Sequence, residues 1–335
     1  MGTALDVAKV MAKPAEKLID AVSAGIGKLY EPRHKRKMAD ATAYEISVIG
    51  DAMRNAADLP VVYNQEGVAI NSEDFGRLMQ RAGTRLVLQE TIKQHNIESI
   101  IDNAYEILEK EDTCSSEPVE QGWINRFFDS VADVSNEDLQ QMWGKVLAGE
   151  IKKPKSFSLR TLNVMRNLSQ EDAMIFQKIM PLVVRSEGNV FVSSDKNVLN
   201  KHDIYFADII HLDECGLLSS DSMVSLQPEI SKSITKCLYN NKHIAIITGT
   251  SEEPYRIRFG VYSLTTAGCE LFRILNNEAN EEILSELSEH IAKSNNKKTS
   301  IDMYKVNCIT DKRISHENEA FKHYGEDLSV YKETP

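Results

Sequence analysis

Two residues of this sequence have the types and spacing to bind a metal. His211 and Cys215 stand four positions apart and therefore share one face of a helix. Zinc sites combine imidazole nitrogen, thiolate sulfur and carboxylate oxygen, usually with four ligands in all. Asp208 is close in sequence, but the local spacing supplies no further ligand. We therefore predict no metal site, and interpret His211 as partly buried and Cys215 as an inert thiol.

The stretch SAGIGKLY carries Gly25, Gly27 and Lys28, which is part of the pattern of a phosphate-binding loop. It lacks the earlier glycine spacing and the hydroxyl residue that such a loop needs. It also lies inside a predicted helix, whereas a phosphate-binding loop follows a strand. The sequence therefore predicts no nucleotide site.

Catalytic motifs are missing as well, since there is no GxSxG elbow and no HExxH pattern. Paired catalytic acids cannot be selected among 50 Asp and Glu residues by spacing alone. We predict no catalytic residues, no cofactor and no enzyme. The scattered cysteines contain no CxxC pair and indicate reduced thiols in a cytoplasmic protein. They are Cys114, Cys215, Cys237, Cys269 and Cys308.

Composition is that of an ordinary globular protein of 335 residues, with 42% hydrophobic and 27% charged residues. The net charge of −11 argues against a nucleic-acid binder that uses its whole surface. Residues 1–40 differ, with eight Lys and Arg against five Asp and Glu. No apolar run is long enough to span a membrane.

Residues 1–40 form a predicted amphipathic helical segment that ends in a basic cluster. Pro14 either kinks the helix or begins a second one as its first residue. The segment could lie on an anionic surface at the periphery of the inner membrane, or contact a partner helix. Alternatively, it is a terminal helix packed on the body of the protein. The predicted contact residues are Leu18, Val22, Ile26, Leu29, Arg33, Lys35, Arg36 and Lys37.

The predicted fold is mainly α, with an N-terminal helical region and a C-terminal α+β winged-helix-like module. Helices are expected over residues 41–57 and from Ser72 onward, with a break at His95 and Asn96. One side of the second helix carries Phe75, Leu78, Met79, Ala82, Leu86 and Ile92. Capping boxes are predicted at Ser135 with Asp138 and at Ser169 with Asp172. A later helix is expected to end at Gly216, another to begin at Thr265 or Thr266, and a strand is predicted over residues 301–309. The predicted segments after residues 1–40 are a helical domain (41–112), a linker (113–122), a helical signature region (123–185), the winged-helix-like module (186–293) and a polar tail with a strand (294–335).

The winged-helix interpretation depends on two features of residues 186–293. EISKSITKCLYN is taken as a helix, and HIAIITG with YRIRFGVYSL as a hairpin. The hairpin tip TSEE is acidic and would repel phosphates. We therefore favour a protein-contact module over the alternative, a DNA-binding regulator or adaptor.

The best-patterned helix carries Trp143 and ends near Glu150, before the basic, proline-marked turn IKKPKS. Trp143 is expected to anchor this helix in the core, and Ser158 to cap the next one. Our hypothesis is that Glu150 pairs with Arg160 across the turn and fixes the angle between the two helices.

The same stretch carries a family resemblance. VSNEDLQQMWGKVLAGEI, KPKSFSLRTLNVMRNLS, DAMIF and LTTAGCEL resemble the signature of a bacterial family, domain of unknown function 2806. The helix with Trp143 and Glu150 is similar to one in abortive-infection alpha proteins, and the opening AKPAEKLIDAVSAGIGKLYEP resembles the openings of both families. The resemblance is strongest over residues 123–275. It implies a bacterial setting, no assigned catalytic residue and, by analogy, a role in phage defence.

The predicted function is thus non-enzymatic interaction in bacteria. The expected partner is a protein or a second copy of the chain, with peripheral membrane contact as another possibility and nucleic acid as the less favoured one.

Overall fold

The structure, a computed structural model, describes residues 13–26, 72–220, 225–275, 278–295, 299–310 and 313–325. The chain divides into two compact units, residues 1–162 and 163–335. The helix predicted over residues 41–57 lies outside the described residues, as does the basic cluster at residues 33–37.

The described part of the N-terminal unit is helical. Pro14 is the first residue of the first helix, which is one of the two alternatives that the sequence left open. The helices are α1 (Pro14–Ile26), α2 (Ser72–Leu108), α3 (Gln121–Val131), α4 (Glu137–Lys152) and α5 (Leu159–Arg166), the last of which spans the division between the units.

Aromatic side chains fill the core of the N-terminal unit. Trp143 on α4 is fully buried, as predicted, and the ring of Phe127 meets it edge-on at 5.4 Å. Phe127 also stacks on Trp123, with 5.2 Å between the ring centroids. The indole N–H of Trp123 donates to the carbonyl oxygen of Phe157 at 2.8 Å, so that this polar atom is satisfied inside the core.

Helix α2 runs without interruption through His95 and Asn96, so the predicted break is wrong. Asn96 is buried, and its side chain finds partners on two other elements. It donates to the carbonyl oxygen of Ala132 at 2.9 Å and accepts from the side chain of Gln140 at 3.4 Å. The asparagine therefore connects helices in the core instead of ending one.

The predicted cap of α4 is wrong by one residue. Asn136, and not Ser135, is the N-cap, and its side chain accepts the backbone N–H of Leu139. The capping box predicted at Ser169 and Asp172 is confirmed, with both reciprocal hydrogen bonds present.

The C-terminal unit combines helices with a ten-stranded antiparallel sheet. The helices are α6 (Gln170–Ile179), α7 (Lys196–Lys201), α8 (Phe206–Glu214), α9 (Thr266–Phe272) and α10 (Ile283–Ser294). The strands are β1 (Val184–Ser186), β2 (Asn189–Ser193), β3 (Leu218–Ser219), β4 (Ser225–Leu226), β5 (Glu229–Ile230), β6 (Thr235–Tyr239), β7 (His243–Gly249), β8 (Tyr255–Arg256), β9 (Phe259–Leu264), β10 (Thr299–Ile309), β11 (Ile314–His316) and β12 (Lys322–Gly325). The sheet has the order β11-β10-β7-β6-β1-β2-β9-β3, with β12 beside β10 and β4 beside β9, while β5 and β8 pair separately.

This sheet overturns the predicted fold class. About 50% of the described residues are helical and 21% are in strands, so the described part of the protein is not mainly α. The segment EISKSITKCLYN, predicted as a helix, forms β5, a turn and β6. The hydroxyl oxygen of Ser231 accepts the backbone N–H groups of Ser233 and Ile234, and this local turn replaces the first turn of a helix.

The predicted hairpin of the wing is wrong too. β7 pairs with β6 and β10, whereas β9 pairs with β2, β3 and β4. The sequence pattern identified both strands but not their partners, since β7 forms its hairpin with the preceding β6, and the other partners of the two strands are distant in the chain. The winged-helix interpretation therefore loses both its recognition helix and its wing.

Other predicted elements are confirmed. α8 ends where Gly216 adopts a positive φ of 75°, and Thr265 caps α9 by accepting the N–H of Gly268. The strand predicted over residues 301–309 forms most of β10, which begins two residues earlier, at Thr299. It belongs to the sheet, because β10 pairs with β7 along Thr299 to Lys305 and packs under α10.

Candidate functional site

The predicted contact residues on α1 lie partly in the core. Leu18 and Val22 are completely buried in the N-terminal unit. At Gly25 an added Cβ would approach the side chains of Ile124 and Phe128 to 2.5 and 2.7 Å, so α1 packs closely on α3. At these positions the structure favours a helix packed on its own protein. The side chain of Ile26, and Leu29, Arg33, Lys35, Arg36 and Lys37, lie outside the described residues.

A lysine holds α1 in place. The ammonium of Lys17 donates to the carbonyl oxygens of Ser115 at 2.9 Å and Ile151 at 2.8 Å. Burial lowers the pKa of Lys17, while nearby Cys114, Glu117 and Glu150 act in the opposite direction. A lysine whose donors are occupied in this way serves as a structural clamp, not as a nucleophile.

The predicted pair of Glu150 and Arg160 is wrong. The buried carboxylate of Glu150 accepts the backbone N–H groups of Lys155 at 2.6 Å, Ser156 at 2.9 Å and Phe157 at 3.0 Å. Lys155 has a φ of +67°, which turns the chain back over the carboxylate. Arg160 is exposed and forms no ion pair within the part of the chain that the structure describes.

Ser158 has its predicted role at the start of α5. Its hydroxyl accepts the backbone N–H of Thr161 at 3.3 Å, as an N-cap residue does. Together with Trp143 and Glu150, it makes the signature stretch a joint between helices. Of the four signature residues, Trp143, Glu150 and Ser158 thus contribute contacts to this joint, whereas Arg160 lies in the same stretch and contributes none among the described residues.

The N-terminal half of α2 differs from its C-terminal half. From Ile97 onward most apolar residues of α2 are buried, namely Ile97, Ile100, Ile101, Ala104 and Leu108. Before Ile97, Leu78, Leu86 and Ile92, which were predicted to lie on one side of the helix, are 53%, 60% and 57% exposed. Leu88 is 56% exposed. The side chain of Phe75, predicted on the same face, is not described.

Five exposed residues in this half of α2 form one stripe, which we call the α2 seam. Steps of three and four residues place them along one line of the helix, as in the contact line of a coiled coil. The α2 seam consists of Leu78, Arg81, Arg85, Leu88 and Ile92, all of them exposed. It therefore carries two adjacent guanidinium groups, with one large apolar side chain before them and two after them.

Charge around the α2 seam is basic. Residues 76–95 contain four Lys and Arg against a single acidic residue, Glu90, which forms an ion pair with Lys93 at 2.9 Å. The arginines recur every four residues, from Arg77 through Arg81 to Arg85. This half of α2 thus carries a positive surface on a chain whose net charge is −11.

The C-terminal unit contains a second candidate, formed by Asp172 on α6 with His211 and Cys215 at the end of α8. One ligand atom from each of the three residues lies within 4.8 Å of the others. Asp172 Oδ1 is 2.6 Å from His211 Nε2, and Asp172 Oδ2 accepts the backbone N–H of Ser169 at 2.7 Å. We call these three residues the DHC cluster.

The DHC cluster is not arranged as a nucleophilic triad. In such a triad a histidine lies between the nucleophile and the carboxylate, whereas here Asp172 contacts both His211 and Cys215. Burial and the neighbouring Asp172 carboxylate raise the pKa of the Cys215 thiol to about 11. Cys215 is therefore a protonated thiol at neutral pH and a poor nucleophile.

The sequence had identified two members of the DHC cluster but not the third. Asp208, considered beside them, instead accepts the backbone N–H of Tyr205 at the start of α8. Asp172 comes from 39 residues before His211 and was recognised only as half of a capping box. Its other carboxylate oxygen, Oδ1, contacts His211 on α8, and local spacing in the sequence cannot predict a contact between residues so far apart.

A family model described as a protein of unknown function (DUF2806) matches residues 80–288. No curated protein and no solved structure matches the chain. In the described part of the chain, no helix has the length and apolar character needed to cross a bilayer.

Proposed function

We propose, from the premise that the chain belongs to the DUF2806 family of proteins of unknown function, that it is a bacterial interaction protein without catalytic activity. Its contact surface is the α2 seam, which docks an amphipathic helix of a partner protein. The partner helix places acidic side chains against Arg81 and Arg85. One observation carries the proposal: all five seam residues are exposed, although three of them are large and apolar.

The apolar members of the seam supply the attraction. Burying Leu78, Leu88 and Ile92 against a partner would contribute about 1.5–3 kcal/mol each before the entropic cost of association. That cost is comparable with the sum, so the affinity expected from these contacts alone is moderate. Pairing of the arginines with carboxylates then sets the choice of partner and the rate of association.

A second copy of the chain fits the α2 seam less well. In a parallel pair of seams, Arg81 and Arg85 would each face the same residue of the other copy. In an antiparallel pair centred on Arg85, the two Arg85 side chains would again meet. Like charges in the contact line of a coiled coil are unfavourable, whereas an acidic partner avoids the repulsion.

An anionic membrane is the other kind of surface that a basic helix could contact. Helices that lie on membranes separate their apolar face from their basic face. In the α2 seam, Arg81 and Arg85 lie on the same line as Leu78, Leu88 and Ile92. This mixed pattern favours a protein helix, which can provide a carboxylate at one position and an apolar side chain at the next.

Site-specific crosslinking in cells tests the proposal. A photoreactive amino acid is placed at Leu88 and, as a control, at Leu159, which is also large, apolar and 46% exposed. We expect an adduct from position 88 with another protein, mapped to an amphipathic segment with acidic residues. The double substitution Arg81→Glu and Arg85→Glu should abolish the adduct, and lysines at the mapped acidic positions should restore it.

Several outcomes would overturn the proposal. The probe at position 88 would exclude a partner protein at the α2 seam if it reacted exclusively with residues 27–71 of the same chain, exclusively with a second copy of the chain, or exclusively with lipid. An adduct that persists after charge reversal, or that forms equally at position 159, would also count against it.

For the cellular role we propose phage defence of the abortive-infection type. The support is the resemblance of the Trp143 helix and of residues 1–40 to abortive-infection alpha proteins. Bacteria that express the wild-type chain should show fewer phage plaques than bacteria with an empty vector. The Arg81→Glu, Arg85→Glu variant should lose this protection, and equal plaque counts with wild type and empty vector across a phage panel would contradict the role.

A further inference from the structure

The DHC cluster has the donor atoms of a transition-metal site. We infer that Asp172, His211 and Cys215 bind one zinc-type divalent cation through Oδ1, Nε2 and Sγ, with the fourth position open to water. This site is independent of the α2 seam and lies wholly in the C-terminal unit. It rests on the placement of three different donor types around one point.

The distances require only a small adjustment. Bonds of about 2.0–2.3 Å from zinc place neighbouring tetrahedral donors about 3.3–3.7 Å apart. The three donor atoms now lie within 4.8 Å of one another, and the closest pair is joined by the 2.6 Å hydrogen bond between Asp172 and His211. Side-chain rotations that open this pair by about 1 Å would admit the ion.

The surroundings hold Asp172 in position for this role. Its Oδ2 is fixed by the backbone N–H of Ser169, which leaves Oδ1 directed at His211. A ligand carboxylate that is hydrogen-bonded through its other oxygen is a common feature of metal sites. The Asp172 side chain is 12% exposed and that of His211 39%, so the ligands are partly shielded while an entry path remains.

The end of α8 adds a favourable field. Cys215 is the C-cap residue, and its backbone N–H bonds to the carbonyl oxygens of His211 and Asp213. The C-terminus of a helix carries partial negative charge, which stabilises a cation. Glu214 adds a full negative charge close to the thiol.

The donor set selects the kind of metal. Magnesium and calcium prefer oxygen ligands, whereas thiolate and imidazole suit zinc and related transition metals. On binding, the Cys215 thiol loses its proton to solvent and the sulfur coordinates as thiolate. His211 coordinates as the neutral tautomer with its proton on Nδ1, so the hydrogen bond between Nε2 and Asp172 Oδ1 is replaced by one bond from each of these atoms to the ion.

Cobalt and zinc titrations of the full chain test the site. After dialysis against a chelator, the wild type is titrated with Co²⁺, whose near-ultraviolet charge-transfer band reports a thiolate ligand. Zinc affinity is then measured by competition with a chromophoric chelator. We expect one ion per chain, a thiolate band, and displacement of cobalt by zinc.

Two variants and one control identify the ligands. Cys215→Ser should remove the thiolate band, and His211→Gln should lower zinc affinity by at least about 100-fold, the upper range for groups that merely orient a ligand. Cys269→Ser changes another half-buried thiol of the same unit and should bind as the wild type does.

Cobalt titration of the wild type can overturn the inference even if the variants fail to fold. Absence of a thiolate band at saturating cobalt would show that Cys215 does not bind metal. The same conclusion follows if Cys215→Ser keeps the band, or if Cys269→Ser loses it. The cluster would then serve only to hold α6 and α8 together.

Discussion

The ammonium of Lys17 lies 2.8 Å from the carbonyl oxygen of Ile151, which is 134 residues further along the chain. Ile151 is in the last turn of α4, where carbonyl groups have no partner within the helix and the helix dipole is negative. A second hydrogen bond reaches the carbonyl of Ser115. One side chain thus connects α1 with the C-terminal end of α4 and with the segment before α3.

We expect Lys17→Met to lower the free energy of unfolding of the N-terminal unit by about 2 kcal/mol. Two hydrogen bonds from a charged donor are lost, and partial solvent exposure of the site reduces their contribution. Tryptophan fluorescence during denaturant titration measures this unit alone, because Trp123 and Trp143, the two tryptophans of the chain, both belong to it.

Lys13→Met is the matched control, since the Lys13 side chain is 77% exposed and, among the described residues, its ammonium forms only a 3.8 Å ion pair with Glu16. Its unfolding free energy should stay within about 0.5 kcal/mol of the wild type. If the two variants were equally stable, Lys17 would not act as a clamp.

Glu150 should be far more important for stability than Arg160. Glu150→Ala leaves three backbone N–H groups without their carboxylate and should cost on the order of 3 kcal/mol. Arg160→Ala changes an exposed side chain and should cost less than about 0.5 kcal/mol. The double variant should be as stable as Glu150→Ala, measured by the same fluorescence titration. A loss of 1 kcal/mol or more in Arg160→Ala, at the scale of a charged hydrogen bond, would contradict this assignment.

The sequence predicted what local chemistry determines. The capping box at Ser169, the glycine after α8 and the cap at Thr265 depend on residues within one turn of each other, and all three are confirmed. The strand predicted over residues 301–309 is likewise present, as part of β10.

Long-range pairing could not be predicted in the same way. β10 pairs with β7, whose residues stand fifty positions or more earlier in the chain, and no local turn residue indicates this pairing. The continuity of α2 depends on Asn96 finding partners at Ala132 and Gln140. The DHC cluster depends on Asp172 meeting a helix that begins more than thirty residues later.

Close packing of α2 on α4 requires a glycine at position 144. A Cβ built there would lie 2.6 Å from Cβ of Asn103 and 3.2 Å from the backbone nitrogen of Ala104. Gly144→Ala should therefore destabilise the N-terminal unit by about 1–3 kcal/mol, the usual cost of overpacking, in fluorescence-monitored denaturation.

A second glycine on the same pair of helices provides a control of opposite sign. No atom lies within 4 Å of a Cβ added at Gly83 in α2. Gly83→Ala should stabilise the helix by up to about 1 kcal/mol, because alanine loses less backbone entropy. Equal effects of the two substitutions would show that helix propensity, and not contact between α2 and α4, determines the result.

His243 should make the C-terminal unit sensitive to acid. It is the first residue of β7, its ring lies 5.0 Å from that of Phe321, and its Nδ1 is buried without a hydrogen-bond partner among the described residues. Burial lowers the pKa of His243; Lys242 and Lys305 act in the same direction, whereas Glu281 opposes them. The unfolded chain therefore binds the proton more readily than the folded one.

The sign of the pH dependence follows from that difference. As pH falls through the ordinary histidine pKa of about 6.5, the unfolded state gains a proton before the folded state does, and stability decreases until the folded pKa is reached. His243→Gln should lose less stability than the wild type between about pH 7 and 5, measured as the midpoint of urea denaturation by far-ultraviolet circular dichroism. His316→Gln removes another imidazole from the same sheet and controls for that loss. If His243→Gln and the wild type declined in parallel over this range, protonation of His243 would not be coupled to folding.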